Sequence, residues 1–191
     1  MTRLLFFHDF ASPYCRLALD AVTGAAGRAG LDVRPVPFEL WPAPAPIPSP
    51  DDARLLNEME TARELAEEWG VPLRKPAVLP RTRKAHEAVA FALARDGAME
   101  VVRRIYDALW AEGRDIARLD VLAEIGEAAG LDREALHVAL GTDEFEADVV
   151  REQHAAAGAG LEGVPVVQVG HVRASGLLPA DDLLAWIEDN R

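Results

Sequence analysis

A strand gives way to a helix within a few residues of Phe6-Phe7-His8-Asp9-Phe10-Ala11-Ser12-Pro13-Tyr14-Cys15-Arg16-Leu17, and the rest of the chain has to be built around that junction. The apolar, aromatic run up to His8 suits a buried strand, and Ser12-Pro13 opens a helix. Ser12 is placed to cap it, with Pro13 at the first helical position, where its missing N–H is not needed. The unsatisfied N–H groups of that first turn then face whatever sits above the junction, which suits a thiol-handling site. Ser12, and less favourably Cys15, are therefore candidates for chemistry. The competing reading makes Ser12 a plain cap and Cys15 a piece of core.

The hydrophobic period orders the remainder. Residues 3 to 8 read as a strand, and Tyr14, Leu17, Ala18, Ala21 and Val22 form one apolar stripe of a helix that Gly24, Gly27 and Gly30 weaken and end. Residues 31 to 38 alternate apolar and polar across two prolines, which predicts a strand with its far end at a sheet edge. From Trp41 to Pro50 every second residue or so is proline, predicting an extended polyproline-like connector, with an SH3-type ligand as the alternative. A helical block follows: a helix begins at Asp51-Asp52 and stops at Gly70, and others are predicted over 82–96, 98–112, 118–129, 133–140 and 143–158, with Asp132 and Asp143 at capping positions. Residues 164 to 175 read as two short strands about Gly170, and a helix from Pro179 to about Asp189 closes the chain. The order is β-α-β, a block of helices, then β-β-α: an α/β domain of residues 1–50 and 160–191 carrying an all-helical insertion of residues 51–159.

Composition narrows the functions open to such a chain. With 191 residues, half of them hydrophobic, it can bury a real core without disulfide staples. A formal net charge of −12 repels nucleic acid and anionic membranes at long range. The N-terminal apolar run is too short for a signal peptide and no later run approaches a membrane span, so a soluble, cytoplasmic protein is expected. Cys15 is the single cysteine, which excludes an intramolecular disulfide, a Cys-rich metal site and a two-thiol redox cycle within one chain. His137, His154 and His171 show no metal-ligand spacing with acids, and no metal is expected.

The element order and two motifs carry a resemblance. Phe-x-Asp-Phe-x-Ser-Pro-Tyr at 7 to 14 and Gly-Val-Pro-Val at 163 to 166 resemble the thioredoxin-like superfamily that joins DsbA-like oxidoreductases, 2-hydroxychromene-2-carboxylate isomerases and kappa-class glutathione transferases. Pro37-Phe38-Glu39-Leu40, Thr82-Arg83-Lys84-Ala85-His86-Glu87 and Gly113-Arg114-Asp115-Ile116 are similar to its FrnE-type DsbA members. The resemblance implies a thioredoxin-like fold with a helical insertion and a cleft between them at Ser12 and Pro165.

The redox branch carries Cys-x-x-Cys at this place. Here Ser12 stands in the first position and Cys15 in the second, so the chain resembles the transferase and isomerase branch, whose serine hydrogen-bonds the thiol of bound glutathione. Lowering a thiol from about 8.5 to about 6.5 takes roughly 2.7 kcal/mol. A helix N-terminus supplies on the order of 0.3 to 1 and a hydrogen bond to a charged group about 1.5 to 3, so the two suffice together. The resemblance makes Val164-Pro165 a cis-proline loop facing the motif helix, with the Val164 backbone pairing with glutathione. Pro13, Tyr14, Ser175 and Gly176 complete the implied glutathione site; a kappa-class Ser-Asp pair is here Ser175-Gly176, without the acid. His8, Trp41 and His86 are candidates to line the cleft, though a histidine at a strand end is ordinarily solvated.

The leading expectation is a glutathione-dependent transferase or cis-trans isomerase acting on a small molecule. The alternatives are a DsbA-like oxidoreductase that uses Cys15 with a thiol substrate, and a non-catalytic binding protein. A homodimer is left open.

Overall fold

Four strands, β1 (Arg3–His8), β2 (Asp32–Pro37), β3 (Val166–Val169) and β4 (Val172–Ser175), form a mixed sheet of order β2-β1-β3-β4 in the computed structural model. The structure describes residues 3–49, 51–95 and 97–191. β1 pairs parallel with β2, Arg3 opposite Asp32 and His8 opposite Pro37. It pairs antiparallel with β3, Phe7 opposite Val166. β2 lies at the edge, where Pro35 and Pro37 are tolerated because no further strand needs their missing N–H groups.

Eight helices accompany the sheet among the described residues: α1 (Pro13–Arg28), α2 (Ala53–Trp69), α3 (Arg83–Leu93), α4 (Ala98–Trp110), α5 (Leu119–Ala128), α6 (Arg133–Gly141), α7 (Glu146–Gly158) and α8 (Ala180–Asn190). Successive strand residues point to opposite faces, and β1 divides its aromatics accordingly. Leu4 and Phe6 join the main core with residues of α1, α3, α4 and α8, whereas Phe7 packs on the other face with Val36, Phe38, Ala156 and Leu161. The main core is continuous from Phe6 and Phe10 to Tyr106, Trp110 and Leu136.

Several expectations are corrected. α1 runs through Gly24 and Gly27 to Arg28, because Val22, Ala25 and Ala26 are buried and anchor its second half; the stop is Gly30, at φ 69°. The connector after β2 is not uniformly extended: Ala43-Pro44 is cis and Ala45 N–H bonds Pro42 O at 2.9 Å, a turn. Asp143 does not cap α7. It sits at φ 56° with its carboxylate drawn to Lys84, and the helix starts three residues later at Glu146. The 82–96 helix ends at Leu93, its predicted last residue and the connector's last residue, Pro50, lie outside the described residues, and α4 ends at Trp110 rather than 112. Asp132, by contrast, caps α6 by accepting from Ala135 N–H at 2.8 Å.

Candidate active site at the β1–α1 junction

β1 delivers its last residue, His8, to a tight turn of Asp9, Phe10 and Ala11, closed by Ser12 N–H donating to Asp9 O at 3.1 Å. Ser12 is the N-cap of α1, extended at φ −91°, with Oγ accepting from Cys15 N–H at 3.3 Å. The polar atoms of the turn are tied down from three directions. Asp9 Oδ2 accepts from Leu40 N–H at 2.7 Å, and Asp9 Oδ1 from Ala11 N–H at 3.3 Å. Tyr106 and Trp110 lie four residues apart on one face of α4 and complete the hold. Tyr106 O–H donates to Asp9 O at 3.0 Å and Trp110 Nε1–H to Phe10 O at 2.9 Å. Arg16, buried on α1, joins the same helix through Asp107 at 3.1 Å. The turn's backbone is thus bonded both to α4 and to the segment after β2.

Cys15 is fully buried, and burial pushes its thiol up to about 12. The Ser12 hydroxyl, the Asp9 backbone and Tyr106 all favour the thiolate, and burial outweighs them. At neutral pH roughly one molecule in 10^5 would carry a thiolate there.

Val164-Pro165 is a cis peptide, and Gly176 N–H bonds Pro165 O at 2.9 Å, extending the β3–β4 ladder. Continuing the β1–β3 register by one step sets Pro165 beside the end of β1, at the turn that leads to Ser12. A pocket of about 430 Å³ opens on the Val164-Pro165 loop, with no wall contributed by β1, its turn or α1. It brings together Val164, Pro165, Ser175 and Gly176 with Arg173 and the loop from Gly160 to Gly163. Ser12 and Pro13, both buried, are not among its walls, nor is Tyr14, whose hydroxyl reaches Glu58 O of α2 at 3.4 Å. Trp41 is half-buried against the main core, its carbonyl accepting from Arg81 at 2.8 Å.

His8 is not solvated. It is wholly buried because α3 and α4 cover the end of β1, and its ring lies between those of Phe6, Phe10, His86 and Tyr106. Burial, with the neighbouring His86 second, holds His8 well below the ordinary imidazole range. The sign follows from proton binding. An unfolded chain takes a proton on His8 below about pH 6.5 and the folded chain does not, so native stability falls as the pH drops through that value. Urea unfolding across a pH series is expected to show wild type losing stability more steeply than His8→Gln between about pH 6.5 and 5. Equal slopes would contradict the neutral assignment.

No motif or spacing in the sequence marks Asp9, Tyr106, Trp110 and Arg173 as site residues. Asp9 carried a signal, an acid directly after a buried strand, while Tyr106 and Trp110 look like any apolar helix stripe. Arg173 stands over the pocket, held by Gln168 Oε1 at 2.7 Å and Ala159 O at 2.8 Å. Among the described residues no three His, Cys, Asp or Glu side chains gather as a metal site, and no helix is long and apolar enough to cross a membrane.

Known proteins share this fold. The family model for the DSBA-like thioredoxin domain matches residues 3–188. The uncharacterized protein YwbO of Bacillus subtilis (strain 168) is 28% identical over 191 residues, covering 97% of this chain and 95% of its own. A 2-hydroxychromene-2-carboxylate isomerase superposes with a TM-score of 0.80 at 25% identity, covering 97% of this chain and 93% of that one. The cytosolic disulfide reductase DsbM from Pseudomonas aeruginosa superposes with a TM-score of 0.74 at 24% identity, covering 98% and 97%, and has also been solved with GSH. With a sheet and helices in this order and the family model spanning nearly all of it, the chain belongs to the DSBA-like thioredoxin domain family and has its thioredoxin-like fold with a helical insertion.

Proposed function

We propose that this protein is a glutathione-dependent enzyme of the isomerase or transferase kind, acting on a small unsaturated molecule, with Ser12 as the residue that orients and stabilises the ligand's thiolate. One observation carries the reading. The chain's own thiol, Cys15, is sealed in the core and pushed up to about 12, while a serine caps the helix where an exposed thiol would stand. Thiol chemistry at this junction therefore calls for a thiol brought in from outside.

The pocket fits such a ligand. Its volume of about 430 Å³ is in the range of small-molecule sites. Arg173 offers a guanidinium to a carboxylate, Ser175 a hydroxyl, and the Val164 backbone an N–H and a C=O to a peptide-like group. When bound, glutathione supplies a sulfur nucleophile that adds to a carbon–carbon double bond and leaves again after rotation about it. With that ligand bound, Ser12 would hold the sulfur by donating its O–H while its Oγ kept the Cys15 N–H, so the cap would not be lost. The N-terminus of α1 adds its positive end. Because Ser12 is 2% exposed, the turn must open locally for a sulfur to reach Oγ.

The likeness to a 2-hydroxychromene-2-carboxylate isomerase supports the isomerase form; DsbM, whose structure includes GSH, supports the fold alone. Isothermal titration with reduced glutathione is expected to give saturable binding, weakened about tenfold or more in Arg173→Ala by loss of a charge-assisted hydrogen bond. No measurable binding by the wild-type chain would remove the proposal.

A further inference from the structure

His8 and His86 place two side-chain nitrogens in the core with no hydrogen-bond partner among the described residues, His8 Nε2 and His86 Nε2. Both residues are at least 98% buried, since their exposures are 0% and 2%. A cavity of about 30 Å³ lies against them, between β2, α3 and α7. Pro37 and Val89 line it, with Asp148 and Glu152 of α7.

The protons can be assigned from the bonds already described. Tyr106 has one O–H proton and gives it to Asp9 O at 3.0 Å. His8 Nδ1, 3.0 Å from the same hydroxyl oxygen, must then be the donor to it. Neutral His8 carries its proton on Nδ1, which leaves Nε2 as a bare, buried acceptor on a residue that lines the cavity. His86 Nε2 lies 3.6 Å from Asp9 Oδ1, too far for a hydrogen bond. A bare lone pair there would face the carboxylate, so the favourable arrangement puts an N–H at this nitrogen. The residues that carry this acceptor and this donor both line one small space. The remaining charges near it are Asp148 and Glu152, the latter bonded to Arg34 of β2.

A buried water needs about 10–15 Å³ of such space and two or more polar partners. We propose that the cavity between His8 and His86 is a binding site for one ordered water, which donates to His8 Nε2 and accepts from His86 Nε2–H. This water is the outer end of a chain that passes from His8 Nδ1–H to Tyr106 Oη, from Tyr106 O–H to Asp9 O, and meets there the N–H of Ser12. His8 and Tyr106 are thereby positioning residues for Ser12: they act through the Asp9 carbonyl on the placement of its backbone. Hydrogen bonds in a buried series polarise one another, so the water strengthens the bonds from His8 to Tyr106 and from Tyr106 to Asp9 O, and these fix the carbonyl that the Ser12 N–H must reach.

The test needs no ligand. In the full-length protein labelled with 15N-histidine, long-range 1H–15N spectra at neutral pH are expected to show His8 as the Nδ1–H tautomer. Its Nε2 should resonate as a hydrogen-bonded acceptor, with a cross-peak to a long-lived water. An Nε2–H tautomer, or an Nε2 without a water contact, would overturn the proposal. In Tyr106→Phe the His8 tautomer is expected to become mixed and the Ser12 amide to exchange about tenfold faster, with Val169 in the distant β3 strand unchanged. An unchanged Ser12 amide in a folded Tyr106→Phe protein would overturn the positioning role. Should that variant not fold, the wild-type tautomer and water contact decide the water site, and the Ser12 amide in His8→Gln, which lacks the Nδ1–H donor, decides the positioning role by the same faster or unchanged exchange.

Discussion

Native Cys15 is expected to resist alkylation at pH 8 by on the order of a thousandfold relative to the unfolded chain. The factor comes from ionisation alone. An unperturbed thiol near 8.5 is about a quarter thiolate at that pH, whereas a thiol pushed up to about 12 is roughly one part in 10^4. Full burial adds steric exclusion, so modification should follow global unfolding rather than compete with it. Iodoacetamide labelling with and without urea, read by mass spectrometry, measures the ratio. Rapid labelling of the folded protein would place the thiol at the surface and revive Cys15 as a redox centre. The same shift fixes a sign at high pH. The unfolded chain releases this proton first, so Cys15 destabilises the fold as the pH rises from about 9 toward 12, and Cys15→Ala should flatten that alkaline slope.

Trp110→Ala is expected to destabilise the protein by about 3–5 kcal/mol, the range for removing a fully buried large aromatic. Trp110 fills the space beneath the junction and spends its one donor on Phe10 O at 2.9 Å. The variant loses both, leaving a cavity and an acceptor without its donor. For a chain of this length the loss corresponds to a drop in Tm of roughly 6–20 °C. Chemical denaturation monitored by far-ultraviolet circular dichroism checks the figure. A loss below about 1 kcal/mol would mean that the turn is held without α4. Trp110→Phe, which keeps most of the volume and loses the N–H, should fall between wild type and alanine.

What the sequence made legible was the part that depends on local chemistry. Ser12-Pro13 announced a helix start because capping and the fixed φ of proline act within a single turn, and Ser12 does cap α1. The alternation across Pro35 and Pro37 placed β2 at an edge because only an edge can spare those N–H groups. Long-range burial was less legible. His8 reads as a solvated strand end until α3 and α4, separated from it by most of a hundred residues, close over it. Gly24, Gly27 and Gly30 read as weakening and ending the helix together, yet neighbouring Ala25 and Ala26 pack into the core and carry it past the first two to its stop at Gly30. Asp143 reads as a cap until Lys84, distant in sequence, takes its carboxylate. The pocket had the same character: Val164, Pro165, Ser175 and Gly176 were visible as a loop and a strand end, but Arg173 gained meaning only once β4 lay beside β3.

The central claim is that the reactive sulfur belongs to the ligand and is stabilised by Ser12. It is tested most directly by titrating the thiolate ultraviolet absorbance of protein-bound glutathione in wild type, Cys15→Ala and Ser12→Ala. A thiol ionising about one to two pH units below free glutathione is expected in wild type and in Cys15→Ala, with most of that shift lost in Ser12→Ala. A shift that survives in Ser12→Ala, or one that vanishes in a folded Cys15→Ala protein, would contradict the claim.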